Sequence, residues 1–174
     1  AVSFSKKSLV FITGASKGIG QSIAVELSRK INPNSTFVLL ARSEGGLRDT
    51  QKLIQEVNKS FTVLTYVTDL SRPQLDEYNA IIHKVLGSID SSGIEFAYIF
   101  HNAGYIGTLD KTVELTDLKT WREYYDLNLF SAILLNTAFI KNIRPVAAQL
   151  VIVNITSICG SLPFADMSMY GSGK

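Results

Sequence analysis

Five short apolar runs recur along the 174 residues, and a longer amphipathic stretch follows each of the first four. The runs are Leu9-Val10-Phe11-Ile12, Thr36 to Leu40, Phe61 to Val67, Phe96 to Phe100 and Leu150 to Ile155. Runs of this length, rich in Val, Ile and Phe, suit strands buried on both faces. Between them, Ile19, Ile23, Leu27 and Ile31 recur every four residues and predict one apolar stripe on a helix, ended by Asn32-Pro33-Asn34. A second helix is expected near residues 44–58, with Leu47, Ile54 and Val57 inward. A third is led by Pro73 and carries Leu75, Ile82 and Leu86. A long one covers about residues 117–141, with Leu127, Phe130, Leu134 and Ala138 apolar. Alternating strands and helices predict an α/β fold: a doubly wound parallel sheet with right-handed crossovers. Its strand order should switch beside the first strand, placing any ligand at the carboxyl ends of the strands.

Composition narrows the partners. With 46% hydrophobic and 18% charged residues the chain can bury a core, and a net charge of +2 from scattered Lys and Arg gives no basis for nucleic acid or an anionic membrane. The start, from Ala1 to Lys7, has no signal-peptide core, and no run approaches the roughly 20 residues of a membrane span. The expectation is a cytoplasmic protein without a metal. The lone Cys159 cannot form an intrachain disulfide and reads as an inert core residue. Lys174 falls about one turn into a helix expected to begin near Ser168, too short a helix to stand alone. The fold is therefore expected to be truncated after the fifth strand and the start of that helix, with residues 1–174 forming one nucleotide-binding unit.

The turn after the first strand carries the clearest chemistry. Thr13-Gly14-Ala15-Ser16-Lys17-Gly18-Ile19-Gly20 joins that strand to the first helix. Glycines allow a tight turn and close approach of backbone to a pyrophosphate, while the helix start offers free N–H groups and partial positive charge. In this strand–turn–helix setting the motif predicts a Rossmann-type dinucleotide site. A carboxylate after the second strand would read the ribose 2′-hydroxyl of NADH. Here Ala41-Arg42 stands there instead, Lys17 adds a second cation, and the pair favours the 2′-phosphate of NADPH/NADP+. Glu44 bears on this choice if the strand ends later.

His101-Asn102-Ala103-Gly104 closes the fourth strand, Ile155-Thr156-Ser157 closes the fifth, and Tyr170 precedes Lys174 by four residues. On a continuous helix that spacing puts phenol and ammonium on one face. A cation near a phenol favours its ionised form, moving it toward useful acid–base chemistry.

Taken together, T-G-x-x-x-G-x-G, N-A-G, the Ser after the fifth strand and Y-x-x-x-K resemble the short-chain dehydrogenase/reductase family over essentially the whole chain. The resemblance implies that Tyr170 protonates a substrate carbonyl oxygen. It implies that Lys174 makes that phenol more acidic and binds the nicotinamide ribose, that Ser157 bonds the same oxygen, and that Asn128 supports a proton relay. Gly14 to Gly20, Ala41, Arg42, Asp69, Leu70, Asn102, Ala103, Gly104, Tyr170 and Lys174 match cofactor positions, with Asp69 toward adenine. Ser157, Ile158 and Tyr170 match substrate positions. His101 departs from the Asn of many relatives and reads as a hydrogen-bonding substitute, while His83 reads as surface.

Within the family the wording is most similar to reductases of pterin side-chain ketones, NADPH-dependent homodimers of tetrahydrobiopterin synthesis. The resemblance also implies further strands, a substrate-covering segment and a dimer helix beyond the Y-x-x-x-K helix. Two other readings remain: reduction of another ketone or diketone, and an NADPH-binding sensor or regulator without catalysis. A structural partner for a longer subunit rests on length alone.

Overall fold

A computed structural model describes residues 3–174, so Ala1 and Val2 of the expected lead-in lie outside the described residues. Five parallel strands form one sheet: β1 (Ser8–Thr13), β2 (Thr36–Ala41), β3 (Thr62–Val67), β4 (Phe96–His101) and β5 (Gln149–Asn154). Their order is β3-β2-β1-β4-β5, so the order reverses beside β1 as expected. The helices are α1 (Gly18–Ser28), α2 (Glu44–Val57), α3 (Leu75–Ser88), α4 (Leu118–Tyr125), α5 (Ser131–Ile143) and α6 (Ser168–Ser172).

Register explains why β1 and β2 are buried throughout. Val63, Phe37, Val10, Tyr98 and Val151 align across one face of the sheet, and Leu64, Val38, Phe11, Ile99 and Ile152 across the other. The first row packs with Ala24 and Leu27 of α1 and Leu47 and Ile54 of α2; the second, apart from the exposed Ile152, packs with Tyr78, Ile82 and Val85 of α3 and Leu135 and Phe139 of α5. Successive residues point to opposite faces, so a strand covered twice needs apolar side chains at every position. Phe11 meets Phe139 edge-on at 5.5 Å between ring centroids, and Phe37 meets Phe61 at 5.3 Å. Each such buried side chain contributes about 1.5–3 kcal/mol relative to exposure.

Several apolar positions depart from the sequence reading. On α1 the buried side is Gly20, Ala24, Leu27 and Ser28, while Ile19 is 64% exposed. Small residues bring α1 close to the glycine turn, which rotates Ile19 outward. Leu75 lies in the first turn of α3 and is exposed; Tyr78 and Ile81 take the core positions. The long helix is interrupted by a π-helical turn at Asp126–Phe130, whose following N–H, on Ser131, donates to Asp126 O. The Ser131 hydroxyl donates to Leu127 O at 2.5 Å, so Ser131 is buried and Phe130 exposed. Asp117 starts α4 where expected, accepting from the N–H groups of Lys119 and Thr120. Cys159 is half-buried in a turn rather than in the core, with Sγ 3.7 Å from Met167 Sδ. His83 is exposed and pairs with Asn142 Oδ1 at 2.9 Å.

Candidate active site

The carboxyl ends of the strands converge on a groove of about 510 Å³. Its floor is the glycine turn, where Gly14 and Gly18 take φ of +65° and +58°, the left-handed region open to glycine. A Cβ on Gly14 would stand 2.9 Å from Asn102 Nδ2, and one on Gly20 would strike the Gly14 carbonyl. The turn is therefore packed to the limit of glycine. No side chain caps α1, whose first residues Gly18 and Ile19 line the groove beside Gly14, Ser16 and Lys17. That leaves uncapped helix N–H groups at the groove wall, a fitting surface for an anion.

Thr13 joins the turn to the end of β4. Its Oγ1 accepts the N–H of Asn102 at 3.0 Å and of Ala103 at 2.9 Å, and donates to Phe100 O at 3.3 Å. Asn102 Nδ2 donates back to Thr13 O at 3.0 Å and Gly14 O at 3.3 Å. From below, the Thr50 hydroxyl donates to Ala15 O at 2.8 Å, so Ala15 is buried under the groove rather than lining it.

The far wall carries Ala41, Arg42, Asp69 and Leu70, and the near wall Asn102, Ala103 and Gly104. β2 ends at Ala41; Ser43 caps α2 by accepting the Gly46 N–H at 3.2 Å, and Glu44 pairs with Arg48 in the first turn of α2. Glu44 is thereby drawn out of the groove lining. Asp69 Oδ1 accepts from the Ser71 hydroxyl at 2.8 Å and the Ser71 N–H at 3.1 Å. These bonds, the hydroxyl first, hold its carboxyl below the usual range, with Arg42 and Arg72 adding attraction. Thr68, Ser43 and Leu127 also line the groove. Neither they nor the Thr13 clamp followed from sequence, although Thr13 opens the glycine motif.

Past Gly104 the groove meets a recess of about 320 Å³ lined by Asn128, Thr156 and Lys174, with His101 and Asn136 behind. Lys174 Nζ lies 5.7 Å from the Tyr170 ring centroid and donates to Ile155 O at 3.3 Å. Phenol and ammonium are brought together on one side of α6 as their spacing leads one to expect, with Lys174 two residues after the last α6 residue, Ser172. Helical winding continues past Ser172 through i→i−3 bonds, Gly173 N donating to Tyr170 O at 3.2 Å and Lys174 N to Gly171 O at 3.3 Å, and Thr156 Oγ1 donates to Lys174 O at 2.6 Å. Tyr124 OH donates to Tyr170 O at 3.0 Å, fixing α6 on α4, and burial beside Tyr170 pushes the Tyr124 phenol up to about 12.

Ser157 Oγ accepts the Cys159 N–H at 3.2 Å, which leaves its own proton free to donate; Ile158 beside it is exposed. No hydrogen bond joins the side chains of Ser157, Tyr170 and Lys174 among the described residues. Asn128 sits in the π-helical turn and ties it to the strand-four loop. Its Oδ1 accepts Tyr105 N at 3.0 Å, and its Nδ2 donates to Tyr105 O and Tyr124 O, each at 3.2 Å. His101 is buried with Nε2 2.7 Å from Asn136 Oδ1, and burial holds it below the usual imidazole range against the opposing pull of that bond. No group of three His, Cys, Asp or Glu residues is placed to hold a metal, and no helix is long and apolar enough to cross a membrane, among the described residues.

A groove at the switch of a parallel sheet, beside a recess lined by Lys174 with the Tyr170 ring 5.7 Å from its ammonium, defines a class of oxidoreductase. The family model for short chain dehydrogenases matches residues 8–174, and the chain belongs to that family. It is similar to sepiapterin reductase of Bos taurus, 28% identical over 97% of this chain and 63% of the relative. It is also 28% identical to benzil reductase ((S)-benzoin forming) of Bacillus subtilis (strain 168), over 95% of this chain and 61% of the relative. The chain thus spans somewhat over three-fifths of the length of these curated relatives. The crystal structure of a Shigella flexneri 2a str. 301 protein assigned to the short chain dehydrogenases, complexed with NADP, superposes with a TM-score of 0.84. It shares 20% identity, covering 98% of this chain and 67% of that one, and establishes the common fold.

Proposed function

We propose that this chain is the nucleotide-binding and catalytic part of an NADPH-dependent carbonyl reductase. The observation that carries the reading is the groove itself: a glycine floor with no room for a Cβ at Gly14 or Gly20, two cations at its outer end, and Tyr170 with Lys174 beyond its inner end. Gly14, Ser16, Lys17, Gly18 and Ile19 with Asn102, Ala103 and Gly104 would hold the pyrophosphate and adenosine ribose, with Ala15 and Gly20 packed beneath them, and Asp69 and Leu70 the adenine. Lys17 and Arg42 would hold the 2′-phosphate, for which charge-assisted bonds from a planar guanidinium are well suited. Bound NADPH supplies the hydride that reduces a carbonyl carbon.

The chain's own residues handle the oxygen. Tyr170 Oη gives it a proton, and Ser157 Oγ donates a hydrogen bond to it, since the Cys159 amide already occupies a lone pair of that hydroxyl. Lys174 places a positive charge beside the phenol and reaches the nicotinamide ribose. Asn128 lines the same recess and holds the Tyr105 backbone through two hydrogen bonds. Ile158 offers an apolar contact to substrate. The substrate we propose is a pterin side-chain ketone of the sepiapterin type, supported by the likeness to sepiapterin reductases; the likeness to benzil reductases supports an aromatic diketone as the second reading. A homodimer and a cytoplasmic location belong to the same proposal.

The test is loss of NADPH absorbance with sepiapterin and with benzil, using this chain and one extended to the relatives' length. Turnover of sepiapterin by the extended chain is expected. Turnover of benzil alone removes the pterin reading, and NADPH binding with no turnover of any carbonyl by the extended chain favours a sensor.

A further inference from the structure

Beside the outer end of the groove, in recesses that share Arg42 with it, stands a cation that neither the glycine motif nor the strand-two position includes. Ala41 and Val67 are in register as the last residues of β2 and β3, and Thr68 N donates to Ala41 O at 3.1 Å. Arg42 therefore leaves the sheet beside the turn that begins at Asp69. That turn is fixed: Arg72 N donates to Asp69 O at 3.1 Å while Asp69 Oδ1 takes both Ser71 donors. It delivers Arg72 next to Arg42. The two arginines share the wall of a recess of about 420 Å³ with Thr68 and Asp69, and a second recess on the Gly104 side.

Neither guanidinium has an ion-pair partner within 4.0 Å among the described residues; Asp69 and Glu77 share the recess and Asp69 is attracted to both arginines, but the carboxylate oxygens nearest are taken by hydroxyl and amide donors. Asp69 serves Ser71, Glu77 takes the Thr68 hydroxyl at 2.6 Å, and Glu123 pairs with Lys119 at 3.8 Å; Asp126 lines only the second recess. Two like charges sharing one wall repel, and an anion between them relieves that repulsion. A phosphate monoester, carrying about −1.5 to −2 near pH 7, is such an anion.

We propose that Arg72 is a third cation for the 2′-phosphate of NADPH, gripping it opposite Arg42 and so setting the preference over NADH. The inference rests on the reading of the groove as an NADPH site and adds a residue to it. Arg72 is exposed on a hydrogen-bonded turn held by backbone and by Asp69, so its replacement leaves the fold intact.

The test is fluorescence titration of NADPH and NADH against the wild type, Arg72→Gln and Arg72→Lys at about 0.15 M ionic strength, where charges more than about 8 Å apart are largely screened. Arg72→Gln is expected to weaken NADPH about tenfold, equal to about 1.4 kcal/mol, and to change NADH less than twofold. Arg72→Lys should fall between, keeping charge without the planar fork. Equal weakening of both nucleotides overturns the inference in favour of a contact with the adenine ring. No change in either overturns it in favour of a solvated arginine. A wild type that binds neither nucleotide overturns the NADPH reading itself, and this inference with it.

Discussion

Replacing Thr13 with valine keeps the branched shape that suits a strand and removes the oxygen that serves three partners. The N–H groups of Asn102 and Ala103, bonded at 3.0 and 2.9 Å, lose their acceptor, and Phe100 O loses a donor. A buried donor left without a partner costs about 1–3 kcal/mol. The two amides are half-buried, so each belongs at the low end, giving about 2–3 kcal/mol together. The added methyl carbon returns about 0.8 kcal/mol, leaving a net loss near 2 kcal/mol. With a urea slope of about 2 kcal/mol per molar, the unfolding midpoint of Thr13→Val should drop by about 1 M, followed by circular dichroism. NADPH affinity should fall as well, because the same bonds hold the near wall against the glycine floor. A midpoint within about 0.2 M of wild type refutes the claim that Thr13 is the clamp.

Arg42→Asp should lower the NADPH-to-NADH affinity ratio at least about tenfold by setting a carboxylate against the phosphate; an unchanged ratio in nucleotide titration counts against the 2′-phosphate site. Gly20→Ala forces a Cβ into the Gly14 carbonyl and the Asn102 amide, so nucleotide binding should be lost with a stability decrease of about 1–3 kcal/mol in urea unfolding. His101 takes its proton at lower pH when folded than its ordinary value near 6.5. Between those two values the unfolded chain binds more protons, so stability rises with pH there and falls on acidification through it. The urea midpoint of the wild type should therefore drop from pH 7.5 toward 5.5 more than that of His101→Asn; parallel curves remove buried His101 as the cause. The lowered carboxyl groups of Asp69, Asp90 and Asp117 act in a separate window, their contribution being lost only as pH falls through their depressed values.

What the sequence disclosed and what it withheld divide along a physical line. Burial on both faces writes itself into β1 and β2 as unbroken apolar runs, so the strands, their parallel pairing and the switch beside β1 were legible. The glycine turn was legible because glycine most readily takes φ of +65° at Gly14 and, without a Cβ, tolerates Asn102 so near. Helix faces were less so: a period of four aligns Ile19 with Leu27, yet close packing of Gly20 and Ala24 on the turn decides which side faces in. The π-helical turn has no composition of its own, and it arises from bonds of Ser131 and Asn128 to backbone groups in three dimensions. Arg72 was silent for a similar reason, since only strand register places it beside Arg42. The approach of Lys174 to Tyr170 was legible in their spacing of four, because helical winding keeps residues so spaced on one side.

The central claim is that a proton from the Tyr170 hydroxyl accompanies reduction of a carbonyl over the nucleotide groove. Its most direct measurement pairs the single-turnover rate of NADPH oxidation with the NADPH dissociation constant, for the extended chain and its Tyr170→Phe variant. The expected result is a rate lower by about 10²–10⁴-fold with the dissociation constant within about threefold, since the lost group acts on substrate oxygen while the groove is intact. A Tyr170→Phe variant that oxidises NADPH at the wild-type rate contradicts the account.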